Sequence, residues 1–332
     1  KRGFSVEDFA KSHPGGSIGR KLLLLVEDIM HTDKEIPIVF QDQKLAQGLI
    51  EMSEKALGMT AVINEKEELV GIYTDGDLRR TLQKNINIPT YISAGQEFIA
   101  ATIATICEMI KIKPLLFGQH RCHSIYLAFG GDKKKLVDEL LGKQSGCTKG
   151  KGGSASIHSK DINMFGHDGL MGSNGPIGVG ACFATKKPTI IFLGDAAAEE
   201  DYVLGGLGWA STKNLPLLTI VEDNNLSILT EKKVRRNWEI GDVAKSLKME
   251  SHTLDDSPLD ILKNSRNFFK KTCLLNIQTH RIYWHAGAGK DSEDTFDRYN
   301  YEKKKIGKPA IQFDQKIKKE MEDLWEKQLE KQ

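Results

Sequence analysis

Apolar residues in the C-terminal two thirds of the chain follow two alternating patterns. Continuous apolar runs at Pro188–Leu193, Leu215–Val221 and Leu274–Thr279 are typical of strands that are buried on both faces of a sheet. Helical spacing between Glu199 and Thr212 predicts a helix that connects the first two of these strands. Strands that alternate with helices predict an α/β fold with a central parallel sheet flanked by helices.

The other segments of this part are predicted to be helical or irregular. They are helices around 94–112, 132–142, 178–185 and 315–332, and a glycine-rich irregular stretch over 142–175. In the last helix Ile317, Met321 and Leu324 share one face, which predicts an amphipathic surface helix.

The N-terminal part predicts a separate small α+β unit with the order strand, helix, strand, strand, helix. Its segments are 36–40, 45–57, 60–64, 68–73 and 75–82. The sequence NINIP then breaks the pattern at 85–89 and predicts a linker. We therefore divide the chain into residues 1–26, which hold a glycine-rich turn, residues 27–88 and residues 89–332.

Composition excludes several classes of protein. The chain has 332 residues, 39% of them hydrophobic and 28% charged, and its net charge of +2 gives no reason to expect nucleic acid or a membrane surface as a partner. Its five cysteines form no CxxC pair, so a disulfide framework is not expected. Neither a membrane-spanning segment nor a signal peptide is recognisable, and we expect a cytoplasmic protein.

Two polar residues lie at the carboxyl ends of two of the predicted parallel strands. Asp195 follows the strand that ends at Leu193, and Asn224 follows the next one. Ligands of open α/β sheets bind outside the carboxyl ends of the strands, and a carboxylate with an amide suits a hard cation such as Mg²⁺. A magnesium-bridged diphosphate would explain the pair, but a helix cap at Asp195 and a turn residue at Asn224 explain it equally well.

Several ordered motifs extend this observation over residues 89 to about 300. They are YISAGQEF, HRCHSIYLAFGGD, ELLGKQSGCTKGKGGS, HDGLMGSNGPIGVGACFA, LGDAAAEED and EDNNLSILT. In this order they resemble the alpha subunit of the thiamin-diphosphate-dependent 2-oxo acid dehydrogenases of the pyruvate, branched-chain and acetoin types. The resemblance implies a thiamin-diphosphate-binding α/β fold and an oxidoreductase that uses thiamin diphosphate with Mg²⁺.

The resemblance also implies roles for individual residues. Asp195, Asn224 and the Leu226 carbonyl would bind Mg²⁺. The cofactor-binding residues would be Arg121, Arg281 and His285 at the diphosphate, Gly194 and Ala196 in the diphosphate turn, and Gly169 and Met171 at the aminopyrimidine. His285 and His123 are candidate catalytic residues, although Met171 could simply belong to the core and a histidine such as His123 is more often a hydrogen-bonded structural residue than a catalyst.

The resemblance further implies a reaction and a set of partners. The reaction is the decarboxylation of a 2-oxo acid, with acyl transfer to a lipoyl group of an acyltransferase. The glutamate that activates the cofactor would come from a beta subunit in an alpha2beta2 heterotetramer. The sequence departs from the family pattern where Ala196 replaces a glycine, where His120 replaces an aromatic residue, and where YWH replaces HGH before Ala286.

The N-terminal part resembles a different family. RGFSVEDFAKSHPGGSIGRKLL, VEDIMHT and GIYTDGDLRRTL are similar to the C-terminal region of arabinose-5-phosphate isomerase, and they include one CBS motif. The resemblance makes Thr74 and Asp77 candidate nucleotide-binding residues, and His13 matches an isomerase histidine. Two alternatives to a dehydrogenase subunit therefore stand: a nucleotide-sensing regulatory module, or a fragment of an isomerase.

Overall fold

The computed structural model describes residues 25, 30–43, 47–48, 51–52, 55, 57–74, 89–287, 289 and 295–330. The chain forms two compact units, Lys1–Leu82 and Gln83–Gln332. Several features that the sequence singles out lie outside the described residues: the glycine-rich turn and His13, the segment 75–82 with Asp77, and most of the predicted linker. No helix of the described ranges has the length and the apolar character needed to cross a bilayer.

The described part of the first unit contains a three-stranded sheet. Its strands are β1 (Ile38–Phe40), β2 (Met59–Ile63) and β3 (Leu69–Thr74), with β1 parallel and β3 antiparallel to β2. The turn between β2 and β3 is closed by Asn64, whose side-chain oxygen accepts hydrogen bonds from the backbone of Lys66 at 2.9 Å and of Glu68 at 3.0 Å. Between β1 and β2 the described residues include helical positions at 47, 48, 51, 52 and 55, as predicted.

The second unit is built on a six-stranded, entirely parallel sheet, which confirms the predicted fold class. Its order is β10-β11-β7-β6-β4-β5. The strands are β4 (Leu115–Phe117), β5 (Met164–Phe165), β6 (Thr189–Gly194), β7 (Leu217–Asp223), β10 (Glu250–Asp255) and β11 (Cys273–Gln278). A small antiparallel pair, β8 (Leu226–Ser227) and β9 (Thr230–Glu231), follows β7.

Helices cover both faces of this sheet. They are α1 (Glu97–Met109), α2 (His123–Ala128), α3 (Lys133–Leu140), α4 (Asn174–Thr185), α5 (Asp201–Thr212), α6 (Lys232–Arg235), α7 (Ile240–Ser246), α8 (Pro258–Lys263), α9 (Arg298–Ile306) and α10 (Lys308–Leu329). Alternate residues of one strand belong to two separate cores: Ile190 and Phe192 of β6 pack with α1 and α2, whereas Ile191 and Leu193 pack with α4 and α5. The continuous apolar sequence of β6 follows from this burial on both faces.

Several elements differ from the sequence prediction. The short strand β4 and helix α2 lie where only a connection was predicted, and β5 lies within the stretch predicted to be irregular. Strand β10 was missed because its sequence ESHTLD is polar and its residues are only partly buried at the edge of the sheet. The last helix begins at Lys308, seven positions before the predicted start at 315, and α9 precedes it.

Candidate active site

A cavity of about 300 Å³ opens at the carboxyl ends of the parallel strands. Loops that follow five strands contribute to its wall. Its main polar and glycine residues are Gln119, His120 and Arg121 after β4, His167 and Gly169 after β5, Asp195 after β6, Asn224 after β7, and Arg281 and His285 after β11. The chain passes from β4 to β5 on one side and later to β6 on the other, so the cavity lies where the strand order reverses, a usual ligand site of such sheets.

Asp195 lies at the base of this cavity and is almost fully buried, with 2% of its surface exposed. Its Oδ2 atom forms an ion pair with Arg235, whose Nη1 atom lies 2.9 Å from Glu199. Arg236 donates to the Asp195 carbonyl at 3.4 Å. Burial raises the pKa of Asp195, and the charge of Arg235 opposes that rise. The carboxylate is therefore placed where a cation stabilises its charged form.

Asn224 is held by a tight turn at the end of β7. Its Oδ1 atom accepts a hydrogen bond from the Leu226 backbone at 3.1 Å, and Asn225 has the left-handed φ of 66° that this turn requires. The preceding residue, Asp223, is buried, accepts from the Asn225 backbone at 3.1 Å and pairs with Lys232 at 2.7 Å. These contacts fix the backbone that carries Asn224 and Leu226 into the cavity wall.

Two buried arginines contribute positive charge to the cavity, each with 3% of its surface exposed. Arg121 donates to the Ile92 carbonyl at 2.9 Å and to the His285 carbonyl at 3.3 Å. Arg281 donates to the Ile228 carbonyl at 2.5 Å. The carbonyls orient two guanidinium groups, and guanidinium donors match phosphate oxygens.

Three histidines and a tyrosine pack together on the same wall. The His120 ring lies 5.0 Å from Tyr91, 5.1 Å from His285 and 5.9 Å from His167, measured between ring centroids. Burial, with a smaller contribution from Arg121, lowers the pKa of His120 to about 3. Burial also lowers the pKa of His167. His120 and His167 are therefore neutral at physiological pH and act as hydrogen-bonding groups rather than as charges.

A buried carboxyl group contacts a residue that lines the cavity. Glu222 of β7 is 1% exposed and accepts a hydrogen bond from Gln119, which lines the cavity. Burial raises the pKa of Glu222 to about 7, so a large fraction of the group is uncharged at neutral pH.

The sequence profile of the dehydrogenase E1 component family matches residues 74–332, more than half of the chain. The chain belongs to this family. Membership implies thiamin diphosphate as the cofactor of the E1 component, and the α/β architecture agrees with the resemblance found in the sequence. The profile of the CBS domain matches residues 26–84, which overlap the first unit.

Curated relatives match the CBS region in the N-terminal part of the chain. Arabinose 5-phosphate isomerase of Pseudomonas aeruginosa is 54% identical over 87 residues, which are 26% of this chain and 27% of the isomerase. The isomerases of Yersinia pestis and Escherichia coli K12 are each 52% identical over 87 residues, 26% of either chain. The chain thus spans about a quarter of the length of these relatives. Among solved structures, transketolase from Campylobacter jejuni aligns with a TM-score of 0.44 and 15% identity, over 55% of this chain and 36% of that one.

The cavity of the E1 component brings together most of the residues that the sequence selects. They are Arg121, Gly169, Met171, Gly194, Asp195, Ala196, Asn224, Leu226, Arg281 and His285. Their assigned roles remain predictions. In the first unit, Thr74 ends β3 and is half-buried.

His123 is the exception among the candidates in the second unit, because it does not line the cavity. It begins α2, and its Nε2 atom lies 2.9 Å from the Ser154 hydroxyl and 3.1 Å from the Ser154 carbonyl. Burial lowers the pKa of His123 to about 4. This geometry fits a neutral histidine that holds a neighbouring loop, so the catalytic role expected for His123 lacks a direct path to the cavity.

Sequence reasoning did not select several residues of the site. They are Tyr91, Gln119, His167, Glu222, Arg235 and Arg236. Gln119 follows strand β4 and directly precedes the motif HRCHSIYLAFGGD. Its position at a strand end would have identified it if β4 had been predicted. Arg235 carried no signal, because its contact with Asp195 spans 40 positions of sequence. Within the described ranges no cluster of three or more His, Cys, Asp or Glu side chains could hold a metal, so a cation site here needs amide and carbonyl ligands as well.

Proposed function

We propose that the second unit binds thiamin diphosphate through Mg²⁺, with Asp195, Asn224 and the Leu226 carbonyl as the protein ligands. The observation that supports this best is the pairing of β6 with β7. Gly194 pairs with Glu222, so Asp195 is level with Asp223 and Asn224 follows one position later on the neighbouring strand. Adjacent strands lie about 4.8 Å apart, close enough for both side chains to reach one ion.

The residues present fit a cation with a diphosphate. Carboxylate, amide and carbonyl oxygens are the ligands that Mg²⁺ accepts. Arg235 already contacts Oδ2 of Asp195, so this carboxylate takes a cationic partner in the fold itself. Arg235 also contacts Glu199 at 2.9 Å, which gives the guanidinium a second partner when an ion shares Asp195.

The remaining cavity residues suit the organic part of the cofactor. Arg121 and Arg281 would donate to phosphate oxygens, and the neutral imidazole of His120 would add hydrogen-bonding capacity without repelling cations. Gly169 and Met171 also line the cavity and would contact the aminopyrimidine ring. Thiamin diphosphate held by these residues would supply a nucleophilic carbon and an electron sink for the decarboxylation of a 2-oxo acid.

We further infer that the cavity works together with a second subunit. Asp195 is the only carboxylate among the described residues that line it, and that side chain is assigned to the metal. The glutamate that activates the aminopyrimidine would then come from a beta subunit, in an alpha2beta2 heterotetramer. A lipoyl group on an acyltransferase would accept the acyl product.

Calorimetric titration of thiamin diphosphate with Mg²⁺ tests the proposal, using the full chain together with a candidate beta subunit. We expect Asp195→Asn to weaken binding at least 100-fold, because one charged oxygen ligand is lost (about 3 kcal/mol). Asp201→Asn is the matched control, since this carboxylate is exposed at the start of α5. Equal affinity of the Asp195 variant and the wild type would overturn the ligand assignment.

A second candidate function concerns the first unit, and the match to the CBS domain favours it. We propose that the unit binds a nucleotide near Thr74, which titration with adenine nucleotides would test. Isomerase turnover by the chain would support the remaining alternative, but the matched region is only 27% of the Pseudomonas aeruginosa enzyme.

A further inference from the structure

The motif ELLGKQSGCTKGKGGS forms a loop that is folded around one buried carboxylate. Glu139 of α3 is fully buried, and both of its oxygens accept hydrogen bonds from the loop. Oε2 accepts from the backbone of Thr148 at 2.7 Å and of Gly150 at 3.0 Å. Oε1 accepts from the backbone of Gly152 at 2.9 Å and of Gly153 at 3.1 Å, and from the Thr148 hydroxyl.

These hydrogen bonds keep the carboxylate charged. Burial raises the pKa of Glu139, but the donors from Thr148, Gly150 and Gly152 outweigh it and hold the pKa below its ordinary value. Several donors that converge on one buried anion make a loop rigid, because each would be left unsatisfied if the carboxylate moved.

The glycines of the motif are required by the same arrangement. A Cβ atom on Gly146 would collide with the Glu139 side chain, and one on Gly152 would collide with the Ser156 carbonyl. Gly150 has a left-handed φ of 72° and lies against the Gly142 carbonyl. The spacing of glycines therefore follows from the need to bring backbone amides around Glu139.

The loop ends at the wall of the candidate active site. Ser154 is buried, accepts a hydrogen bond from the Tyr91 backbone at 2.8 Å and lies 2.9 Å from His123. Tyr91 lines the cavity, and its ring packs edge-on against His120 at 5.0 Å and against His285 at 5.3 Å. A continuous set of contacts thus runs from Glu139 through the loop to the histidine wall.

We propose that Glu139 is a positioning residue of the active site, which acts through Ser154 to fix Tyr91 and with it His120 and His285. The cofactor measurement below rests on the proposed function, whereas the other two measurements do not. Lys149 and Lys151 are exposed on the loop and report on its order, because trypsin cleaves after lysine only where the backbone can open.

The test compares Glu139→Gln, Ser154→Ala and the double variant with the wild type, all as the full chain. Asp138→Asn is the matched control, since Asp138 is an equally buried carboxylate of α3 whose side chain accepts from Lys134 and from the Ser145 hydroxyl at the start of the loop, whereas the later backbone amides of the loop donate to Glu139. We expect Glu139→Gln alone or in the double variant to speed tryptic cleavage at Lys149 and Lys151 at least tenfold. Ser154→Ala and Asp138→Asn should cleave like the wild type.

Nuclear magnetic resonance signals of the His120 and His285 rings provide the readout that a merely structural role would not move. We expect the same signals to shift in Glu139→Gln and Ser154→Ala, with no further shift in the double variant, and to stay in place in Asp138→Asn. Thiamin diphosphate with Mg²⁺ should bind about tenfold more weakly to both single variants, and the double variant should lose no more than either, because the two residues act in one path.

Three results would overturn the proposal: unchanged histidine signals in Glu139→Gln, additive effects in the double variant, or equal changes in Asp138→Asn. A wild type that binds no thiamin diphosphate would instead overturn the proposed function, and the cleavage and resonance measurements would still decide the role of Glu139. If Glu139→Gln does not fold, Thr148→Ala removes one hydroxyl donor from the loop and should give smaller changes of the same kind.

Discussion

Burial acts in opposite directions on the acids and bases around the cavity. It lowers the pKa of His120 to about 3 and raises the pKa of Glu222 to about 7, so both side chains are driven toward their neutral forms. Glu139, in contrast, stays charged because hydrogen bonds outweigh burial. The wall of the cavity is thus mostly uncharged, and its charges are concentrated at Asp195, Arg121 and Arg281.

Glu222 gives a pH dependence whose sign follows from this shift. Its pKa rises from an ordinary value of 4.5 to about 7 on folding, so its stabilising contribution is complete below about pH 4.5 and is lost as pH rises through 7. Glu222→Gln keeps an acceptor for Gln119 but cannot ionise. We expect the two proteins to differ least in free energy of unfolding at pH 5, and the variant to gain on the wild type by roughly 1.4 kcal/mol per pH unit between about pH 4.5 and 7, with little further change above 7.

Urea unfolding at pH 5, 7 and 8.5 would measure this difference. Glu239→Gln is a suitable control, because Glu239 is an exposed acid whose contact with Lys232 is weak in solvent. A constant difference between Glu222→Gln and the wild type across this range would show that Glu222 is ionised throughout.

At the residue scale, the sequence predicted those site residues that lie at the ends of neighbouring strands. Asp195 and Asn224 were selected because each follows an apolar strand, and those strands are indeed paired. Arg235 and Tyr91 were not selected, because their contacts are set by loops that return to the cavity from distant positions. The resemblance to the family supplied Gly169, Met171 and Arg281, which no local pattern distinguishes.

At the scale of elements, predictability followed burial. The strands β6, β7 and β11 are almost wholly buried, and their apolar runs identified them. The three residues of β4 are also buried, but a run of three is too short to separate from a loop. Strand β10 lies at the edge, where polar residues are tolerated.

Helix α4 offers a direct test of how closely it packs on the sheet. A Cβ atom on Gly178 would lie 2.7 Å from the Ile191 side chain, whereas one on Gly180 would meet nothing within 4 Å. We expect Gly178→Ala to lower the free energy of unfolding by about 1–2 kcal/mol through overpacking. Gly180→Ala should raise it by about 0.5–1 kcal/mol, because alanine favours the helix.

Urea denaturation measures the free energy of unfolding of the two variants, which should change in opposite directions although both substitutions lie in one helix. Equal stability of both variants would mean that the helix shifts outward to admit a methyl group. A loss of stability in Gly180→Ala would contradict the open space found around this position.

At the scale of the whole molecule, the chain joins two units with separate relatives. The profiles of the two families meet within residues 74–84, and the structure divides between Leu82 and Gln83. The sequence placed this division at a linker around 85–89, from a break in its hydrophobic pattern. All residues of the candidate active site belong to the second unit.

A fragment of residues 83–332 keeps every residue that lines the cavity. It should therefore bind thiamin diphosphate with Mg²⁺ within about twofold of the affinity of the full chain, a difference well below the about 1.4 kcal/mol that corresponds to a factor of ten. Calorimetry on both proteins measures this, with Asp195→Asn in the fragment as the control. A much weaker fragment would show that the first unit stabilises the cavity.

The strand order also determines when each strand of the sheet can pair while the chain is being synthesised on the ribosome. Strand β11 is the last strand of this sheet in the chain but lies between β7 and β10, so β7 has only β6 beside it and β10 has no neighbouring strand until residue 278 has been synthesised. At roughly 5–20 residues per second, the edge of β7 stays open for about 3–11 seconds while the chain up to β11 is added. During that interval the nascent chain exposes a long apolar edge that other chains can pair with, and it has no complete cofactor cavity. This exposure would be detected as chaperone binding to nascent chains that are held on the ribosome and end near residue 260.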